Sequence, residues 1–163
     1  LTRISATSLS EDEARELNAI LRTVDDVERI ADHITNIMEK IELKISDRVE
    51  FTEYAKSDLK ELKELILENM EDSFEMIRES DISNLEIISE REEEIDQKVK
   101  ESKNSHLERM KQGICLPMAG VIYTDILTDL ERISDHCMNI AQDFNEINLV
   151  KRNRKVNRPL PRV

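Results

Sequence analysis

The sequence has no tryptophan, two glycines, three prolines and two cysteines among its 163 residues, and aromatic residues make up 3%. Sheet proteins use glycine and proline in turns and aromatic residues in strands, so this composition argues against a β fold. Two glycines also leave too little material for a glycine-rich phosphate loop, which argues against an ATP site. Leucine, isoleucine, glutamate, lysine, methionine and arginine dominate instead. The composition therefore predicts an all-α protein of ordinary domain size.

Acidic residues outnumber basic residues by 36 to 24, which gives a formal net charge of −12. A general nucleic-acid-binding protein needs a basic face that replaces phosphate counterions, so this balance argues against nucleic acid as a partner. No run of about 18 apolar residues predicts a membrane span, and no signal peptide is visible. Cys115 and Cys137 lack the spacing of a zinc site, which favours two reduced core thiols in a cytoplasmic protein.

Apolar residues recur at steps of three and four along four stretches, as they do on one face of a helix. Ser10 and Glu13 have the spacing of a capping box at the start of the first helix. Gly113 is placed to end the third helix, and Pro117 to lie in the first turn of the fourth. Four long helices with short connections predict an antiparallel bundle. The predicted helices cover residues 11–45, 50–79, 82–111 and 117–148.

The first and fourth helices contain the same motif, at residues 26–37 and 129–140. Eight of the twelve positions are identical, and they include aspartate, the Glu-Arg pair, the Asp-His pair and asparagine. Chance repetition of apolar positions does not reproduce polar residues in register, so the motif indicates an internal duplication.

Each copy of the motif places two acids four residues apart on one helix face: Glu28 with Asp32, and Glu131 with Asp135. Like charges at this spacing weaken an isolated helix, but a bound cation converts the repulsion into attraction. The third helix offers a matching acidic run over residues 92–96. Because acids are about a fifth of the chain, such pairs also arise by chance, and a solvated acidic face is the alternative.

The histidines and asparagines of the motif allow several interpretations. His33 and His136 follow five residues after the first acid rather than three, unlike the Glu-x-x-His pattern of di-iron bundles. Each is expected to cap a helix surface, pair with an acid or line a metal site. Asn36 and Asn139 are interpreted as amides that bridge helices, and His106 as an isolated surface residue.

Residues 130–141, Leu-Glu-Arg-Ile-Ser-Asp-His-Cys-Met-Asn-Ile-Ala, resemble the last helix of a PhoU repeat with its E(D)xxxD motif. Residues 88–96, with their acids and Ile95-Asp96, resemble the middle helix. On this resemblance, residues 1–46 are the last helix of an incomplete first repeat. Residues 50–148 are a complete three-helix repeat, and residues 149–163 are a basic flexible tail.

The PhoU resemblance implies a regulator of phosphate homeostasis rather than an enzyme. It also implies multinuclear metal clusters, with iron as the first expectation and zinc or nickel as alternatives. The metal ligands that it implies here are Glu28, Asp32, Glu92, Asp96, Glu131 and Asp135. Glu28 and Asp32 lack the middle helix that would supply the other half of their site.

Residues 113–125 are similar to the cytoplasmic C-terminal regions of sodium-dependent phosphate cotransporters. The start at Leu1 and the incomplete first repeat agree with a domain cut from a larger chain. The resemblance implies a phosphate transporter or a phosphate-signalling protein as partner, with the membrane reached only indirectly. An uncovered apolar face on the first helix would predict a homo-oligomer.

Two other functions remain open from the sequence: a carboxylate-bridged di-metal enzyme and a purely structural helical interaction module. The missing Glu-x-x-His pair argues against the enzyme. Metal loss on mutation of the acids would argue against the structural module.

Overall fold

The computed structural model describes residues 9–156 of the chain. It contains four helices and, within those residues, no strand: α1 (Glu11–Ser46), α2 (Glu53–Glu79), α3 (Leu85–Lys111) and α4 (Pro117–Val156). The all-α prediction is confirmed. None of the helices in the described part of the chain is long and apolar enough to cross a membrane.

The helix boundaries follow from local capping. The predicted capping box of α1 is present, because Ser10 Oγ accepts from the backbone N–H of Glu13 and the Glu13 carboxylate accepts from that of Ser10. Helix α2 begins three residues later than predicted, because Thr52 caps it by accepting from the Ala55 N–H. Helix α3 also begins three residues late, after a turn that Asp81 stabilises.

Helix α4 lies at the centre of the fold and packs against each of the other three helices. Helices α2 and α3 pack against each other and against α4, whereas α1 packs along α4 in the antiparallel direction, and no contact with α2 or α3 is seen in the described residues. The predicted bundle is thus a three-helix unit with one helix added on the far side of α4. Its fully buried side chains include Leu62, Ile95, Tyr123, Leu127 and Ile140.

Part of the predicted basic tail is helical. The sequence predicts a flexible tail from residue 149, but α4 continues to Val156 because α1 supplies acidic partners. The Glu16 carboxylate lies 3.0 Å from Nη1 of Arg154 and 3.5 Å from Nζ of Lys151. The remainder of the predicted tail, residues 157–163, lies outside the described residues.

The prediction that His106 is a surface residue is wrong. Its exposed fraction is 3%, and its ring lies 5.0 Å from that of Tyr123, centroid to centroid. The burial arises because Gly120 has no side chain: a Cβ there would lie 2.6 Å from His106 Nε2. The glycine lets α3 and α4 approach closely at this level.

Candidate metal centre

Helices α3 and α4 bring three carboxylates together. Glu92 and Asp96 lie one turn apart on α3, and Asp135 faces them from α4. One oxygen from each lies within 4.8 Å of the other two. Among the described residues, these three are the acidic, histidine or cysteine side chains that converge in this way. We call Glu92, Asp96 and Asp135 the carboxylate cluster.

The electrostatics of the carboxylate cluster are unfavourable to three negative charges. Burial and then the charges of Asp96 and Asp135 raise the pKa of Glu92. Partial desolvation at the helix interface and then the charges of Asp135 and Glu131 raise the pKa of Asp96, although Lys103 and Arg132 oppose the effect. The folded chain therefore holds these carboxylates at a cost that a bound cation would remove.

Both acids of the second motif copy form an ion pair near the carboxylate cluster. Lys103 Nζ donates to the Glu131 carboxylate at 2.8 Å. Arg132 Nη1 donates to Asp135 at 3.1 Å, as a partner of a neighbouring acid. Glu131 and Asp96 both line a groove of about 530 Å³ between α3 and α4. Glu131 therefore lies next to the carboxylate cluster but is held by a lysine.

The first copy of the acidic motif is placed differently. Glu28 and Asp32 are both exposed on α1, and in residues 9–156 they belong to no group of three converging ligands. Helix α1 has no counterpart of α3 among the described helices, so the other half of a site is missing there. Metal ligation by these two residues stays a prediction.

The carboxylate cluster fits a metal ion by its donor set. It offers oxygen atoms alone, which suit hard and borderline cations such as divalent iron. Glu92, Asp96 and Asp135 would hold the ion, and Glu131 could join them if Lys103 released it. The ion would supply the positive charge that the cluster lacks.

The polar residues shared by the two motif copies form a reciprocal contact between α1 and α4. His136 Nδ1 lies 2.7 Å from Asp26 Oδ1, and Asn139 Nδ2 donates to the same oxygen at 3.4 Å. Asp26 and His136 are both buried. Residues from the end of the second motif thus bind the first residue of the first motif.

The same contact occurs a second time with the roles of α1 and α4 exchanged, and each residue in it is the counterpart, 103 positions away, of a residue in the first contact. His33 Nδ1 lies 2.9 Å from Asp129 Oδ1, and Asn36 Nδ2 lies 3.5 Å from it. Lys40 adds a third partner, with Nζ at 2.8 Å from Asp129 Oδ2. The rings of His33 and His136 stack between the two aspartates, with centroids 5.6 Å apart. We call the two sets of contacts the reciprocal latch.

The reciprocal latch resolves the alternatives for the histidines and asparagines. Pairing with an acid is confirmed for both histidines, and helix bridging is confirmed for both asparagines. Their aspartate partners, Asp26 and Asp129, were not identified as functional residues from the sequence. The signal in the sequence was that both copies of the motif begin with an aspartate.

The comparisons with known proteins agree with this architecture. The PhoU domain family model matches residues 1–41 and 59–144, which is more than half of the chain. The first stretch ends within α1, and the second spans most of α2, all of α3 and the core part of α4. No curated protein and no solved structure gives a significant match. The chain therefore belongs to the PhoU domain family, and a role in the regulation of phosphate homeostasis follows from that membership.

Proposed function

We propose that this chain is a metal-binding regulatory domain that modulates a phosphate transporter or phosphate signalling at the cytoplasmic side of the membrane. The observation that carries the proposal is the convergence of Glu92, Asp96 and Asp135 at one point between α3 and α4. Bound metal would fix the position of α3 on α4 by removing the repulsion between their carboxylates. A partner would then contact a surface whose shape depends on the metal.

A regulatory role is favoured over a di-metal enzyme by the position of the carboxylate cluster. Asp96 is exposed, and Glu92 and Asp135 are only partly buried. Enzymes of the di-iron bundle type hold their metals between helices with inward-projecting Glu-x-x-His motifs. The motif histidines of this chain face aspartates in the reciprocal latch instead.

Metal analysis is the direct test of the proposal. Protein purified without chelator is expected to contain iron at a stoichiometric level, and Asp135→Ala is expected to lose most of it because one converging ligand is removed. Glu131→Ala is expected to lose less, since Glu131 lies outside the carboxylate cluster and Lys103 holds its carboxylate. Elemental analysis by mass spectrometry measures iron, zinc and nickel together.

Glu90→Ala is the matched control for the metal analysis, because Glu90 is an exposed acid on α3 that lies outside the carboxylate cluster. Its metal content should equal that of the wild type. Near-zero metal in all forms, including protein refilled with ferrous iron under anaerobic conditions, would leave the structural module as the better interpretation.

The uncovered face of α1 supports self-association. Its apolar residues correspond, at a spacing of 103, to residues of α4 that α2 and α3 bury. Val24 is 57% exposed where its counterpart Leu127 is 0% exposed, and Met38 is 54% exposed where Ala141 is 0% exposed. Helix α1 thus presents the surface that a bundle normally covers, and an exposed apolar stripe of this kind marks a contact site.

The chain is therefore expected to be a dimer or larger assembly at micromolar concentration in light scattering. Met38→Lys is expected to shift the assembly toward the monomer, because it places a charge in the middle of the α1 face. Leu67→Lys, on an equally exposed residue of α2, should leave the mass unchanged. A monomeric wild type would contradict the self-association proposal and leave the metal proposal untouched.

A further inference from the structure

A cavity of about 270 Å³ lies at the end of the bundle where the loop between α3 and α4 meets the start of α2. It is distinct from the carboxylate cluster, since the two sites share no residue. Its walls are mainly apolar and include Phe51, Ala55, Ala119 and Tyr123. Cys115, which is half-buried, also lines it.

His106 lines this cavity in an unusual state for a buried polar residue. It is 3% exposed, and neither ring nitrogen has a hydrogen-bond partner among the described residues. Burial and then the charge of Arg109 lower its pKa, so the ring is neutral at pH 7 and carries one N–H donor and one acceptor. Buried polar groups in native proteins are normally paired, and an unpaired one calls for an explanation.

The neighbouring side chains do not supply that partner. The Tyr123 hydroxyl donates to Asp58 at 2.7 Å. Gly120 lies against Nε2 of His106 and contributes no side chain. Both ring nitrogens are buried, so a ligand in the cavity must displace the ring slightly to reach one of them, but it breaks no existing hydrogen bond when it does so.

The charges around the cavity restrict the ligand. Glu50 lines it, whereas the charges of Asp58 and Arg109 behind Tyr123 and His106 offset each other, since Arg109 Nη2 lies 3.9 Å from Asp58 Oδ2. An anion such as phosphate would therefore meet the Glu50 carboxylate and a neutral imidazole. Three converging metal ligands occur in the described residues at the carboxylate cluster, not here. The apolar walls favour an uncharged ligand. A cavity of about 150 Å³ accommodates benzene, so this one is large enough for one substituted ring or two fused rings.

We propose that this cavity is a binding site for a small uncharged aromatic molecule with one hydroxyl or ring N–H group, and that His106 bonds to that group. Tyr123 and Phe51 pack against the ring of the ligand, and the ligand orders the loop that carries Cys115. The site is independent of the metal proposal, because its residues and its ligand chemistry differ from those of the carboxylate cluster.

Phenol and toluene are suitable probes, because they have nearly the same size and toluene has a methyl group where phenol has a hydroxyl group. The two cysteines provide the readout. Cys115 lines the cavity, whereas Cys137 is fully buried in the core and burial raises the pKa of its thiol to about 12. Alkylation of the folded full chain by iodoacetamide is thus expected at Cys115, and a bound ligand should slow it.

Phenol is expected to protect Cys115 with a saturable dependence on concentration, and toluene to bind about fivefold to tenfold more weakly because it cannot bond to His106. In His106→Phe, phenol should bind no more tightly than toluene. His106→Leu provides the same comparison if the phenylalanine does not fit. Leu107→Phe, on the exposed neighbour, is the control that keeps the preference for phenol.

Three results would overturn the proposal. These are the absence of saturable protection by phenol at millimolar concentration, equal binding of phenol and toluene by the wild type, and an unchanged preference in both His106 variants. None of them bears on metal content, so failure of this site is distinguishable from failure of the proposed function.

Discussion

Replacing Asp26 with alanine is expected to lower the free energy of unfolding by about 2 kcal/mol, which is large for a single polar contact. The Asp26 carboxylate is buried at the interface of α1 and α4 and accepts from His136 and Asn139. Its removal leaves the buried His136 ring without its partner, whereas the exposed Asn139 can turn to water. Urea unfolding at pH 7, followed by circular dichroism, measures the change.

Asp25→Ala is the matched control, because Asp25 is the exposed neighbour of Asp26 on the same helix. Its effect is expected to stay within about 0.5 kcal/mol. The double variant Asp26→Ala/His136→Ala should be less destabilised than the sum of the single variants, since both remove the same contact. Additive losses, or equal losses at Asp25 and Asp26, would contradict a reciprocal latch.

The other half of the reciprocal latch is expected to be stronger. Burial alone would raise the pKa of Asp129, but hydrogen bonds from Lys40 and His33 outweigh it, and the pKa lies below its usual range. A lowered pKa in an acid means stability that is present above the unfolded pKa of about 4 and is lost as the pH falls through the folded pKa. Asp129→Ala should therefore cost more than Asp26→Ala at pH 7.

The repeat was visible in the sequence, but the reciprocal latch that its residues form was not. Periodicity and capping residues define each helix locally, so the helices, the capping box and Pro117 at the start of α4 were predictable. The pairing of Asp26 with His136 depends on the direction and register of α1 against α4, which no local pattern encodes. Identical polar residues at a constant spacing indicated a duplication, but they did not show which residues pair across the two helices.

His106 shows a second limit of prediction from the sequence. Its flanking residues in α3 are polar or exposed, so local context indicates a surface position. Its burial depends on Gly120, 14 residues later, where a helix of this glycine-poor chain lacks a side chain. A glycine within a predicted helix costs stability relative to alanine and calls for a packing reason, and this was the available signal.

Only some of the six predicted metal ligands converge among the described residues, and the reason is related. Spacing places Glu131 and Asp135 on the same face of α4, and it does the same for Glu28 and Asp32 on α1. Which of them meets another helix depends on what packs beside it. Helix α3 lies beside α4 and supplies two carboxylates and Lys103, whereas α1 has α4 as its neighbour in the described residues.

The carboxylate cluster leads to the second large effect, which concerns stability with and without metal. Saturating ferrous iron, at about a hundred times its dissociation constant, is expected to stabilise the wild type by about 2.7 kcal/mol, or about 8 °C in melting temperature. Asp96→Asn should lose most of that gain, because it removes a charged ligand. Differential scanning calorimetry under anaerobic conditions, with chelator or with iron, measures both states.

The same substitution should act in the opposite direction on the metal-free protein. Because the pKa values of Glu92 and Asp96 are raised in the folded state, their ionised forms cost stability above the folded pKa, and the cost disappears as the pH falls toward the unfolded value of about 4. Asp96→Asn should therefore stabilise the chelated protein at pH 7 by up to about 0.5 kcal/mol, a value limited by the exposure of Asp96. The advantage should shrink as the pH is lowered to 4.

The opposite effects of Asp96→Asn on stability with iron and with chelator distinguish a metal site from a solvated acidic face. A face that merely lies in solvent would respond weakly to Asp96→Asn and equally in chelator and in iron. Glu90→Gln, an exposed acid on the same helix and outside the cluster, should show that weak and equal response. If Asp96→Asn destabilises the chelated protein, or if iron stabilises the variant as much as the wild type, the carboxylates of α3 and α4 do not hold the metal together.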